Sequence, residues 1–172
     1  MYSNLGKSKS ILAVYIDLTR AFETVCHPLL LLKLSKLNFH TSALSLLNSY
    51  LSNRIQLTVI NNIMSKSASN NVGIPQGTIL APLLFNRFIN DFLLSSDHSL
   101  NICFADDTLS LYEIPNTSTT ATEQIISSLN NTYTWFKTNL LVINSKKSYY
   151  TIYNTRNSPS NHLILIAPTQ NT

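Results

Sequence analysis

Short apolar runs, some continuous and some alternating, are separated by polar turns along this chain, and they predict strands mixed with helices. Ile11 to Ile16 (ILAVYI) is a β-branched stretch that stops at Asp17, the pattern of a buried strand ending at a site edge. Pro28 to Leu37 follows as a helix, with Leu29, Leu30, Leu32, Leu34 and Leu37 on a broad apolar face. Thr41 or Ser42 can cap a second helix through about Leu51. Ile55 to Ile60 alternates as a strand, and Ile63 to Val72 is expected to return beside it. Leu83 to Leu94 reads as a helix entering the core. Leu100 to Ala105 (LNICFA) and Thr108 to Tyr112 (TLSLY) read as the two strands of a hairpin. Pro115 to Thr120 is a polar connector. Ala121 to Lys137 forms a helix with Ile125, Ile126, Leu129, Tyr133 and Phe136 on its apolar side. Leu140 to Ile143 and Ser148 to Tyr153 are expected to make a second hairpin around Asn144 to Lys147. From Thr155 the chain is rich in Asn, Ser and Pro, apart from Leu163 to Ala167, a candidate last strand. Strands and helices in this order, with helices on one face, predict an α+β sandwich.

Chemistry enters at Phe104-Ala105-Asp106-Asp107, where two carboxylates share the tip of the predicted hairpin. Like charges that close repel unless a cation neutralises them, and oxygen-only ligands at a turn suit Mg²⁺. Asp is also a common turn residue, so the pair alone is equally a turn. Asp17 supplies a third carboxylate, and position alone allows a turn or helix-cap role there too. A third segment, Gly73 to Pro82 (GIPQGTILAP), shifts the balance. Its glycines and prolines fix a loop that lets backbone approach something closely, then open a helix with Pro82 in the first turn. Gln76 lies inside that loop, and its amide can both donate and accept hydrogen bonds.

Taken together, Asp17-Leu18-Thr19-Arg20-Ala21-Phe22-Glu23, then Gly73 to Pro82, then Phe104 to Asp107 resemble successive palm motifs of reverse transcriptases. Ser49 to Arg54, Leu84 to Asp91, Trp135 and Leu140 to Lys147 are similar to the intervening segments of non-LTR (LINE-type) retrotransposon polymerases. The resemblance runs from about Ile11 to Tyr153. It implies a palm in residues 1–154, an antiparallel sheet backed by helices, followed by the tail 155–172. It further implies that Asp17, Asp106 and Asp107, with the Leu18 carbonyl, hold Mg²⁺ or Mn²⁺. Ala21, Phe22 and Gln76 would bind the nucleotide: the Ala21 amide at the triphosphate, Phe22 beneath the sugar, Gln76 on the incoming nucleotide. Lys147 would lie near the leaving pyrophosphate. The implied partners are an RNA template, a DNA primer and deoxynucleoside triphosphates. Glu23, Cys26 and Ser148 depart from the family's usual Asp, Asn and Thr. The chain also starts just before the first motif and ends soon after the fourth, so fingers and thumb segments are expected to lie elsewhere. The rival expectation is a non-catalytic retrotransposon relic, inactive or only weakly binding nucleic acid.

Composition adds limits. At 172 residues with 44% hydrophobic content, one domain with a real core is the natural reading. Charged residues make up only 12%, and Lys and Arg exceed Asp and Glu by 4. That excess favours a polyanionic partner, but the basic residues are scattered and form no nucleic-acid track by themselves. Cys26 and Cys103 are too few for a zinc module, and the four His share no ligand spacing. No run reaches the length of a signal peptide core or a membrane span, so an intracellular protein, cytoplasmic or nuclear, is expected.

Overall fold

The β-branched run before Asp17 does form a strand, and it lies in the middle of the main sheet. A computed structural model of the chain describes residues 10–96, 98–114, 119–154 and 157–163. Its elements are, in order, β1 (Ser10–Ile16), α1 (His27–Lys36), α2 (Thr41–Leu51), β2 (Arg54–Gln56), β3 (Val59–Ile60), β4 (Ile63–Met64), β5 (Ala68–Asn70), α3 (Leu80–Ile89), β6 (Leu100–Phe104), β7 (Asp107–Ile114), α4 (Thr119–Thr138), β8 (Tyr149–Asn154) and β9 (Asn157–Leu163). Two compact units divide the chain: Met1–Thr19 with Asp91–Thr172, and Arg20–Asn90.

The first unit is built on a five-stranded antiparallel sheet of order β6-β7-β1-β8-β9. Side chains alternate across a strand, so each strand serves two faces. Val14, Ile16, Thr108, Ser110 and Tyr112 lie on the face that α4 covers, and all are buried. Tyr15, Ile102, Phe104, Leu109 and Tyr149 belong to the other face, where Ile102 and Phe104 are exposed. Phe92, Trp135 and Phe136 pack ring to ring, with centroids 5.0–5.2 Å apart, which anchors the end of α4. Trp135 is therefore a packing residue.

In the second unit, α1 packs against α2 and α3 through Leu30, Leu34, Leu51, Phe85 and Phe88, all fully buried. Pro28 stands in the first turn of α1, where its missing N–H costs nothing. The cap of α2 is His40, whose Nδ1 accepts from the Ser42 amide, rather than Thr41 or Ser42.

Several expected elements change form. The strand expected over Ile55 to Ile60 is broken at Leu57 and Thr58, giving β2, which pairs with β5, and β3, which pairs with β4. Asn61 and Asn62, both at positive φ, turn the inner hairpin in the way its tight geometry demands. The helix expected over Leu83 to Leu94 starts earlier, at Leu80, and gives way to a 3₁₀ turn at Asn90–Leu94. No hairpin joins Leu140–Ile143 to Ser148–Tyr153. Leu140, at φ 59, ends α4 with the Leu141 amide bonded to the Phe136 carbonyl, and only Ile143 bridges the sheet, opposite Leu18. Strand β8 pairs with β1 and β9 instead. The candidate last strand over Leu163 to Ala167 lies, but for Leu163, outside the described residues, as do residues 115–118 of the expected connector, whose last two residues, Thr119 and Thr120, instead begin α4. Among the described residues no helix is long and apolar enough to cross a membrane.

Candidate active site

Asp17 is the first residue beyond β1, and three backbone contacts fix it. The Asn144 amide donates to its carbonyl (2.9 Å), its own amide donates to Ser148 Oγ (3.1 Å), and the Thr19 amide donates to the Val142 carbonyl (2.8 Å). Leu18 is held opposite Ile143 by the outer two of these bonds, which leaves the Leu18 carbonyl out of the pairing. Ser148 is fully buried and immediately precedes β8. Asn144 also caps the turn that carries Lys147, since its carbonyl accepts from the Lys147 and Ser148 amides. One short turn therefore places Lys147 and pins Asp17. The sequence motif pointed to Lys147 but gave no sign that Ser148 clamps Asp17.

The opposing strand supplies the second carboxylate. Ile16 pairs with Thr108, so one further step in the same antiparallel register sets Asp17 across from Asp107. Residues directly opposite share a face, with Cβ atoms typically about 4.5–5.5 Å apart. Asp107 also pairs with Phe104 across a two-residue loop of Ala105 and Asp106. Ala105 has φ 53 whereas Asp106 is not at positive φ, as in a type II′ turn, where glycine is the easy residue. Asp17, Asp107 and Lys147 line one cavity of about 390 Å³ together with Tyr15, Phe104 and Tyr149. Asp106 sits half-buried in the loop and is not part of that wall.

The structure thus brings two of the three aspartates together around one cavity. Among the described residues no three His, Cys, Asp or Glu side chains group closely enough to hold a metal ion. In chemistry the pair nonetheless suits a hard cation. Asp17 Oδ2 is buried and has no hydrogen-bond partner among the described residues, the condition in which a carboxylate oxygen calls for a ligand. The cavity floor is aromatic. Tyr15 stacks on Tyr149 with centroids 4.6 Å apart, and its hydroxyl lies 3.2 Å from that of Tyr153. This hydrogen bond, with partial burial, pushes Tyr15 up to about 12. Burial also pushes the Cys103 thiol up, opposed by a hydrogen bond with Thr108; both cysteines are free.

Ala21, Phe22 and Gln76 belong to the second unit. Ala21 is buried at the start of a 3₁₀ turn, Ala21–Thr24. The Phe22 ring stacks on Phe85 at 4.5 Å, and the Phe22 carbonyl accepts from the Ile74 amide (2.8 Å). The Val25 carbonyl accepts from the Gly73 amide (2.8 Å), and a His27 ring N–H donates to the Gly73 carbonyl (2.7 Å). These bonds dock the Gly-Pro loop onto the segment carrying Phe22. His27 is thus a buried structural residue. Gln76 itself is exposed and lines a polar cavity of about 740 Å³ with Arg20, Arg54 and Lys66.

Solved structures that share this architecture define its class. Telomerase from Candida tropicalis in complex with the TWJ fragment of telomeric RNA superposes with a TM-score of 0.67 at 10% identity, over 91% of this chain and 28% of that one. Telomerase from Candida albicans in the corresponding complex gives 0.60 at 12% identity, over 86% and 27%. The fold is therefore α+β and like the palm of reverse transcriptases. The chain belongs to the family described as Reverse transcriptase (RNA-dependent DNA polymerase), which matches residues 3–163. It is also 31% identical over 143 residues to a "Probable RNA-directed DNA polymerase from transposon BS" of Drosophila melanogaster. That match takes in 79% of this chain and 16% of the relative, so the chain spans a small part of the protein it resembles.

Proposed function

We propose that this chain is the catalytic palm of a non-LTR retrotransposon polymerase, which extends a DNA primer on an RNA template. The observation that carries this reading is the placement of Asp17 across from Asp107, with Lys147 at the same cavity and an unpartnered oxygen on Asp17. Asp17 and Asp107, joined by Asp106 and the Leu18 carbonyl, would hold Mg²⁺, with Mn²⁺ able to replace it. Bound there, the ion would favour ionisation of the primer 3′-hydroxyl and offset charge on the phosphates. In the transfer the 3′-oxygen forms a bond to the α-phosphorus of a deoxynucleoside triphosphate, and the bond to pyrophosphate breaks. Lys147 would offer a proton or positive charge to the departing pyrophosphate. The Ala21 amide would hold the triphosphate and Gln76 would contact the incoming nucleotide. The Phe22 ring, braced by Phe85, would exclude a 2′-hydroxyl.

The test is primer extension by a polymerase chain carrying this segment together with fingers and thumb. Wild type should extend a DNA primer on RNA, and Asp17→Asn or Asp106→Ala should lower the rate by roughly 10²-fold or more, as losing a charge-stabilising group does. Phe22→Val should admit ribonucleotides. A folded wild-type chain that extends no primer would favour the relic.

A further inference from the structure

A second cavity in the first unit lies on the opposite side of the sheet, between β1 and α4. It measures about 360 Å³, and its walls include Leu12, Val14 and Ile16 of β1, Leu129 and Thr132 of α4, and Ile143. None of the described residues lining it is charged, so an ion would gain no partner there. Ligand pockets typically run from about 300 to 1,000 Å³, so this one is sized for a small molecule. Apolar cavities well under half this volume are known to stay dry and accept an aromatic ring, so the bulk of the space calls for an apolar body.

Thr132 adds a polar anchor. It is 2% exposed, and its Oγ1 has no hydrogen-bond partner among the described residues. A helical threonine commonly bonds the carbonyl one turn back, and this one does not. Buried hydroxyls without partners are rare in folded proteins and call for an explanation, of which a bound group is one. Ser128, one turn earlier on the same buried stripe, has its own partner in Ser96. Of the buried hydroxyls without partners among the described residues, those of Ser95, Tyr112 and Thr132, only Thr132 belongs to a residue lining this cavity.

We infer that this cavity binds a small uncharged molecule with an apolar, ring-sized body and a single hydroxyl or carbonyl group, held through the Thr132 hydroxyl. Its occupant touches the strands that position Asp17. Ile16 immediately precedes Asp17, and Ile143 is both the bridge partner of Leu18 and the neighbour of Asn144, whose amide holds the Asp17 carbonyl. Binding behind the sheet therefore adjusts the carboxylate on its front. Neither the cavity nor its test depends on the polymerase reading.

The probe is 2-naphthol, titrated into the 172-residue chain and followed by amide chemical shifts and thermal melting. Saturable one-to-one binding is expected, with shifts centred on Leu129, Thr132 and Asn144 and a melting temperature that climbs with ligand. Naphthalene-2-sulfonate, the same ring with a fixed charge, should bind at least about tenfold more weakly. Thr132→Val should weaken 2-naphthol about fivefold and leave naphthalene unchanged, since only the former loses a hydrogen bond. Leu129 is half-buried and lines the cavity, so Leu129→Trp should fill the space and remove binding of both. Three results would overturn the inference: no saturable binding up to the solubility limit, shifts centred elsewhere, or undiminished binding by a Leu129→Trp chain that melts normally. Should that variant fail to fold, equal losses of 2-naphthol and naphthalene affinity in Thr132→Val would refute the anchor.

Discussion

Asp17 owes its position to Ser148, 131 residues away, whose hydroxyl accepts the Asp17 amide proton in a fully buried position. Ser148→Ala leaves that amide without a partner and should cost about 1–3 kcal/mol in urea unfolding. Ser148→Thr keeps the hydroxyl, and with it most of the stability. Tyr15 gives a second residue-scale expectation. Its folded pKa, about 12, lies above the ordinary value of 10.0, so the fold favours the neutral phenol. The resulting stability is complete below pH 10 and is lost as pH climbs from 10 toward 12. Tyr153→Phe removes the hydrogen bond and should bring the Tyr15 titration, read by tyrosinate absorbance, to lower pH. Asp17, Asp107 and Lys147, which line one cavity, were legible as candidates because each sits in a short motif. Ser148 and Thr132 were not, because what a hydroxyl does depends on a partner that only the fold supplies.

The Gly-Pro loop, legible as a loop from its composition, turns out to need its two glycines for different reasons. Gly73 has φ +84, and a Cβ there would meet the Glu23 carbonyl oxygen at 2.6 Å. Gly77 has φ +79 with nothing within 4 Å. Gly73→Ala should therefore cost about 3 kcal/mol, combining left-handed strain with a backbone clash. Gly77→Ala should cost only about 1–2 kcal/mol, from strain alone. Equal losses in urea titrations of the two variants would contradict this. Strand β1 and the carboxylate hairpin were readable from β-branched runs and their turn. Helix α4 was found, with Leu129, Tyr133 and Phe136 on its inward side as expected, but Ile126 was wrongly included and two hydroxyl residues were missed. Ile126 is 53% exposed, while Ser128, Thr132 and Phe136 are buried. Hydrophobic periodicity could not see Ser128 and Thr132, because they are hydroxyl residues. The stretch Leu140 to Ile143 looked like a strand, but Leu140 is used to end the helix.

At the scale of the whole molecule, the first unit is made of two chain segments, residues 1–19 and 91–172, joined because β1 pairs with β7 on one side and β8 on the other. Residues 20–90 form a unit of their own between them. This division could not be read from the sequence. Composition does not change at its borders, and the pairing that creates it is wholly non-local. What the sequence did carry was the ordered set of motifs, and the register of β1 against β7 brings two of them side by side. In the proposed function, Asp17 and Asp107 jointly form a cation site at the end of the sheet. The most direct measurement is Mn²⁺-induced broadening of backbone amide resonances in the chain without any nucleic acid. Broadening should be strongest at Asp17, Asp106 and Asp107, and Asp17→Asn should remove it while the remaining spectrum stays folded. Broadening centred on other acidic residues, or unchanged in a folded Asp17→Asn chain, would contradict the account.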